Sequence, residues 1–541
     1  MMIEQWQLDC VRRILTIDGV KLTKIISSDH SPGQDLDKQA LFRLYTGRSA
    51  RKGPRRLVSL ESLLSRIPSD NSSTVEKIGS FNDCDEDNLR GIRESKLDFL
   101  LFFGSETLPR EILTLPRYGV WSFRSDDGTN QGGSPDCFWQ VYNDQRVSGI
   151  VLERQIDQDV CEMMNTAYFK TIRSSYFRNL DQTLSWSGVM AAQVCTRLQN
   201  GTAHMNVAEA CKPMTRSFRP PSNLQMCTFF LKTIKRRVED FCRQLFRYTS
   251  WNVGIVHSPI HAFLDPEFRP EILWLPQSRQ AHIQADPFGR TIDGKITVLF
   301  EVMDYMHRKG KICALEVEAD GSVLKGRVVI ESQVHMSYPF LFEHEGGTYC
   351  IPETNQAREV PIYRSVKFPD EWIKAGQLLA NVRAIDTTVF KHNDRWWATF
   401  TDREAGGDAN LYIWHSPDLW GPWEPHILNP VKIDIRSSRP GGTTFEHGGQ
   451  LYRPAQDCSK TGGGRIILNR VEELSPTDFR ERPVAVLAPY KNSPYREGFH
   501  TLSAAGDFTL IDGKRFRFLP SGLLTNLIKA LRRSADRIHN H

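Results

Sequence analysis

The chain has 541 residues, with 69 Lys and Arg against 64 Asp and Glu, 40% hydrophobic and 25% charged residues, the composition of globular domains and not of a disordered or fibrous chain. A net charge of +5 is small for that length and argues against a chain that binds nucleic acid or a membrane by bulk charge. The longest apolar run, around Phe99–Phe103, falls far short of the roughly 20 residues that a membrane helix needs. At about 150 residues per domain, two to four domains are expected. Eight of the twelve tryptophans fall at or after Trp251, so the two halves are expected to be built differently. The eleven cysteines are scattered, with no pair two residues apart, which points to free thiols in a cytoplasmic protein and to neither a disulfide framework nor a zinc site. The first residues lack the pattern of a secretory signal.

Between Gln5 and Leu15, the residues Trp6, Leu8, Val11, Ile14 and Leu15 share one helix face. Leu22–Ile26 reads as a strand and the polar stretch around Ser69–Ser73 as a loop. Leu97–Phe103 is a near-continuous apolar run closed by Gly104, the pattern of a buried parallel strand. A short helix follows around Leu108–Leu113, then Pro116–Gly119 and a strand from Val120 to Phe123.

Over residues 85–165 this order resembles the formyltransferase family, which includes methionyl-tRNA formyltransferase and the sugar N-formyltransferases. The resemblance implies a Rossmann-like α/β fold. Because only Met1–Glu4 precede the first helix, the expectation is that either its opening strand is missing or the true start of the chain lies upstream. In that family an asparagine and a histidine polarise the formyl group of 10-formyltetrahydrofolate and an aspartate helps move the proton from the attacking amine. Carried over, the first two positions fall on Ser122 and Arg124, and the aspartate has only the loose counterparts Asp157 and Asp159. A guanidinium is no base near neutral pH. The expectation is a degenerate domain without a cofactor, 10-formyltetrahydrofolate belonging only to an active one.

Residues 176–250 read as a helical connector, with Leu231, Ile234, Val238, Phe241, Leu245 and Phe246 on an apolar face packed between domains. After Trp251 the chain repeats itself. Five segments, beginning at Ala285, Tyr338, Ile385, Arg439 and His500, each hold a strand, a polar turn and a second strand. Their turns are placed at Asp293-Gly294, Gly346-Gly347, Asn393-Asp394, Gly448-Gly449 and Asp512-Gly513, about 50 to 65 residues apart. Five such units predict a five-bladed β-propeller whose closure removes sheet edges. The first strands open with Asp286, Pro339, Asp386, Arg439 or His500, and the second strands end near Glu301, Glu353, Asp402 or Asp457. These polar ends are expected to converge on one pocket.

The stretches WNVGIV, ADPF, YPFLFEHEGGTYCIPE, DTTVFKHNDRWWATFT, GPWEPHILNPV, RPGG, LYRPAQDC and GFHTL resemble the N-terminal domain of the plant glucosamine inositolphosphorylceramide transferases and their bacterial relatives. In the plant family the sugar-transfer chemistry lies in a further domain, so it does not pass to this chain by resemblance. More distantly, the repeats are similar to five-bladed glycoside hydrolases. That similarity implies Asp286 as base, Glu353 as acid and Asp386 as a carboxylate that tunes and orients, while the converging strand ends Glu301, Arg439, Asp457 and His500 are expected to bind substrate. The alternative for Asp286 and Asp386 is capping of strand starts. Trp396, Trp397, Trp414, Trp420 and Trp423 are candidates for sugar stacking or for packing between blades.

The fold class expected is thus α/β plus all-β: a truncated formyltransferase-like domain at 1–175, a connector at 176–250, a five-bladed propeller at 251–519 and an amphipathic helix at 520–541. That last helix would dock on the propeller or lie on an anionic membrane surface. The expected function is a carbohydrate-active protein of glycan or polysaccharide biosynthesis, related to transferases, whose partner is a sugar, sugar-nucleotide or glycan and not a nucleic acid. A glycoside hydrolase and a non-catalytic sugar-binding or scaffold module are the alternatives.

Overall fold

The computed structural model describes residues 2–28, 39–48, 53–59, 74–78, 86–104, 108–126, 136–157, 160–202, 220–277, 283–292, 294–303, 309–318 and 322–518. The chain divides into two compact units, Met1–Val238 and Glu239–His541. The helix expected at 520–541 lies outside the described residues, as does Asp159.

In the first unit, the helix Gln5–Ile14 starts in a capping box in which Glu4 and Gln7 satisfy each other's backbone N–H groups, and it buries Trp6, Leu8, Cys10 and Ile14. The helix Ser187–Gln199 lies close against it. A Cβ added at Gly188 would sit 3.0 Å from the Cys10 Cα, so the approach needs a glycine there. Leu100–Phe102 runs parallel to Val120–Asp126, as the apolar run predicts, but the sheet continues antiparallel through Val147–Gln155 and Cys161–Lys170. A second parallel pair, Lys24–Ser28 with Thr74–Ile78, forms its own two-stranded sheet. Met2–Glu4 is a strand, paired antiparallel with Leu57–Ser59. A Rossmann-like domain needs one mostly parallel sheet wound on both faces. Among the described residues, three separate small sheets, with parallel pairing in two isolated places, correct the formyltransferase-like expectation.

The helix Asn223–Phe246 buries Met226, Phe229 and Arg236, whereas Leu231, Ile234, Val238 and Phe241, expected to pack, are exposed. Among the described residues no helix is long and apolar enough to cross a membrane.

The second unit is built from antiparallel hairpins. The turns at Asn393-Asp394 and Gly448-Gly449 have the positive φ at both residues that two-residue hairpin turns require. The second turn is at Glu345-Gly346, one residue before its expected place. The fifth expectation fails more fully: Asp512 and Gly513 lie inside the continuous strand Phe508–Phe518, and its hairpin turns after Ala505. That long strand pairs along ten residues with Arg247–Val256. The pairing joins the first and last hairpins in one open eight-stranded sheet, beside open sheets of four, five and four strands. Among the described residues, four unequal sheets, each running from one edge strand to another, replace the five closed blades of the propeller. Alternating positions make their cores: Val253, Ile255, Val298, Phe300 and Leu510 in the large sheet, and Phe340, Ile351, Ala398 and Phe400 in the next two. Trp396 and Trp397 belong to such cores, whereas Trp420 is exposed.

Candidate functional site

The first strands of three successive hairpins share one irregularity. Register slips between Ala285 and Phe288, between Ser337 and Phe340, and between Ile385 and Thr388. In each case the residue after the last paired position has left-handed backbone: Asp286 at φ 54°, Tyr338 at 43° and Asp386 at 53°. Such bulges re-aim side chains, and left-handed backbone outside glycine is held only where its surroundings impose it. Opposite these bulges stand Glu301, paired with Ala285, and Glu353, paired with Ser337. The next hairpin has Thr401 at that register. Asp402 lies one residue further on, and its carboxylate accepts the Glu404 backbone N–H.

The result is a buried group of Asp286, Glu301, Glu353, Asp386 and Asp512 with few cations. Asp386 Oδ2 accepts from Arg439 Nε and from Gln456 Nε2, each at 2.6 Å, while Arg439 Nη1 reaches Asp408 Oδ1 at 2.8 Å. Glu353 accepts from the Asp386 backbone N–H at 3.4 Å and from the Asn355 amide. Asp286 Oδ1 accepts from the Thr501 hydroxyl at 3.1 Å and lies 3.2 Å from His500 Nε2. Asp512 accepts the backbone N–H groups of His500, Thr501 and Asp286 at 2.9, 3.1 and 3.2 Å. Tyr338 Oη accepts the Gly442 N–H at 2.8 Å and meets the Thr388 hydroxyl at 2.9 Å, which ties three hairpins together.

Electrostatics sort these carboxyl groups. Burial pushes Asp286 up to about 6, with His500 and then Arg439 pulling against it and Asp386 and Asp512 adding to the rise. Burial and then the Asp386 charge push Glu353 up to about 8, against the pull of Arg439 and Asn355. Glu301 is raised well above the usual carboxylate range by burial and by its four acidic neighbours. Burial opposes the Arg439 charge, yet Asp386 and Asp408 outweigh it and hold the guanidinium cationic. His335 faces Glu301 at 3.5 Å, and burial, then Arg403, lowers its imidazole below the ordinary value.

Of the residues singled out in the sequence, Asp286, Glu301, Glu353, Asp386, Arg439 and His500 come together. Asp457 is buried but occupied by its own neighbours, Arg465 at 2.6 Å and the Ser459 N–H at 2.9 Å. Strand alternation sends Gln456, one residue earlier, to Asp386 instead. Pro339 likewise gives way to Tyr338. Gln456 and Tyr338 were findable by counting strand faces, whereas Asp512 was hidden in a dipeptide that reads as a turn. In the first unit, Ser122 accepts from Gln155 at 2.9 Å, Arg124 pairs with Glu153 at 3.0 Å and Asp157 pairs with Arg110. Arg124 is thus held by a carboxylate, as a structural cation. His261 stacks on His447 and His257 meets Phe508.

Donor atoms of Asp286, His500 and Asp512 lie within 4.8 Å of one another, close enough to surround a cation. The imidazole already stands between the two carboxylates, however, and three backbone N–H groups occupy Asp512. The chemistry of this set is that of an imidazole ring set between two carboxyl groups.

Among solved structures, Zg3597, a family 117 glycoside hydrolase from Zobellia galactanivorans, superposes with a TM-score of 0.33 at 12% identity, over 50% of this chain and 90% of that one. The arabinofuranosidase PaAbf62A from Podospora anserina gives 0.34 at 10% identity, over 43% and 81%. Superpositions this loose define no shared fold. Glucosamine inositolphosphorylceramide transferase 1 of Oryza sativa subsp. japonica is 33% identical over 206 residues, which are 37% of this chain and 28% of the rice protein. The protein of the same name from Arabidopsis thaliana is 30% identical over 250 residues, 43% of this chain and 32% of its own length. The chain therefore spans less than a third of the length of these relatives. Residues 276–499 match the family described as glucosamine inositolphosphorylceramide transferase 1, N-terminal, a segment that holds Asp286, Glu301, Glu353, Asp386 and Arg439 and stops one residue short of His500.

Proposed function

We propose that the second unit acts on a glycosidic bond by acid/base catalysis. One observation carries the reading: the bulged strand starts and the strand ends opposite them gather Asp286 and Glu353 in one buried carboxyl cluster, where burial pushes Asp286 up to about 6 and burial with the Asp386 charge pushes Glu353 up to about 8. At neutral pH the first is ionised while the second keeps its proton, as a base and an acid must. Glu353 gives its proton to the glycosidic oxygen as the bond from that oxygen to the anomeric carbon breaks. Water bonds to the carbon and loses a proton to Asp286. Arg439 fixes Asp386, whose charge holds the Glu353 proton in place until transfer. A second reading keeps the same geometry: a sugar hydroxyl takes the place of water, and the same two residues move the same protons.

The test is sugar release from a panel of oligosaccharides and p-nitrophenyl glycosides by the full chain and by Glu353→Gln and Asp286→Asn. Removal of a general acid or base is expected to cost on the order of 10²–10⁴ in rate. Glu353→Gln should lose less on p-nitrophenyl glycosides, whose leaving group needs no proton. Turnover unchanged in both variants rejects the assignment, and added sugar alcohols that divert product into new glycosides identify the transfer reading.

A further inference from the structure

His500 stands between two carboxylates that come from opposite ends of the second unit. Its Nδ1 lies 2.5 Å from Asp512 Oδ2 and its Nε2 3.2 Å from Asp286 Oδ1. One face of the ring stacks on Trp251, with centroids 4.0 Å apart. On the other elements packed here, Gly463 comes so close that a Cβ would meet the His500 Cβ at 2.6 Å. Lys514 is buried, donates to the Thr461 hydroxyl and the Gly462 carbonyl, and holds its ammonium 4.9 Å from the Trp251 ring centre. Both ring nitrogens lie at ion-pair distance from a carboxylate oxygen, and the Nδ1–H does not aim at Asp512 as a hydrogen bond would. A neutral imidazole gains little from two flanking carboxylates; the imidazolium is the form that their charges favour.

We propose that Asp512 is a positioning residue that places the His500 ring between its own carboxylate and that of Asp286, so that the ring is ion-paired on both sides. Asp512 is suited to this by its other bonds. It sits mid-strand, and its two oxygens accept the N–H groups of His500 and Thr501 on one chain segment and of Asp286 on another. One side chain thus sets the backbone of both residues and the ring between them. The charges support the same arrangement: burial alone would depress His500, but Asp512, then Asp286 and more distantly Asp386, outweigh it and hold the ring above its ordinary value. The groups acting on Asp286 are His500 and Arg439, which favour its ionised form, and Asp386 and Asp512, which oppose it. Glu301 and Glu353 complete the group. The catalytic consequence rests on the acid/base reading above: the imidazolium keeps Asp286 ionised beside four other acids. Both His500 and Asp512 lie outside the residues that match the known family.

The experiment is NMR of the full chain with histidine labelled at the ring carbon and nitrogens, the His500 signal being identified by its loss in His500→Gln. The wild type should show imidazolium nitrogen shifts at pH 7 and a His500 midpoint above the ordinary value. Loss of an opposite charge at such distance typically moves a midpoint by about 1–3 units, so Asp512→Asn should lower His500 by at least about one unit. A neutral tautomer at pH 7 in the wild type overturns the proposal without any variant, which keeps it testable if Asp512→Asn does not fold. An unmoved midpoint in folded Asp512→Asn also overturns it. The acid limb of the kcat/KM profile should rise in Asp512→Asn. If NMR gives the expected result and no glycoside is ever turned over, the acid/base reading fails while the role of Asp512 stands.

Discussion

Glu353 shows how one residue can be ordinary in sequence and costly in place. It ends a strand beside a bulge, its two oxygens meet the Asn355 amide and the Asp386 N–H, and burial with the Asp386 charge raises it to about 8. An unfolded glutamate loses its proton near 4.5, so between these limits the folded chain binds the extra proton and stability must fall as pH rises. Asp286 contributes in the same direction up to about 6, and His500, also raised, does so as its ring loses charge. Where one full proton separates the two states the slope is about 1.4 kcal/mol per pH unit. Glu353→Gln cannot lose a proton. It is expected to flatten the decline in thermal stability between about pH 6 and about pH 8, measured by calorimetry against the wild type. Identical slopes would contradict a protonated Glu353.

At the scale of elements, the site depends on how closely hairpins approach. Gly442 has φ 132°, and a Cβ there would lie 1.8 Å from the Leu502 carbonyl oxygen, backbone that cannot turn aside. The neighbouring bonds, Thr443 N–H to Leu502 and Leu502 N–H to Gly441, fix the distance. The backbone conformation alone costs a side chain about 1–3 kcal/mol, and the clash adds to it. Gly442→Ala should therefore lower the urea midpoint far more than Gly448→Ala, since Gly448 sits in an open turn with nothing within 4 Å. Equal losses would show that the hairpins can part. The same contrast explains what was legible beforehand. The turns at Asn393-Asp394 and Gly448-Gly449 announce themselves through residues that tolerate positive φ. Asp512-Gly513 has the same letters as Asp293-Gly294, yet it continues a strand, because Phe508–Phe518 has a ten-residue partner in Arg247–Val256 that no local pattern reveals. The repeated strand ends pointed to Asp286, Glu353, Asp386, Arg439 and His500. The contribution of Asp512 depended on that non-local pairing and was not legible.

For the second unit as a whole, this pairing makes the two ends of its chain one structure. Arg247–Val256 is bordered on one side by Phe508–Phe518 and touches Ile283–Ile292 on the other, so the strand carrying Asp286 and the strand carrying Asp512 meet through it. A chain that stops after Ala505 would lose Leu510 and Ile511 from the cores and uncover Val253 and Ile255. Four such side chains at roughly 1.5–3 kcal/mol each come to about 6–12 kcal/mol, which is comparable with the whole stability of about 5–15 kcal/mol that a domain commonly has. The truncation would also strip Asp512 from the His500, Thr501 and Asp286 N–H groups. Compared with the full chain, such a protein is expected to lose the cooperative thermal transition of this unit in circular dichroism and to be cut within it by low concentrations of protease. If the shortened chain still melted cooperatively with the protease resistance of the full chain, the long closing strand would be dispensable, and the site would have to be assembled by the three bulged hairpins alone.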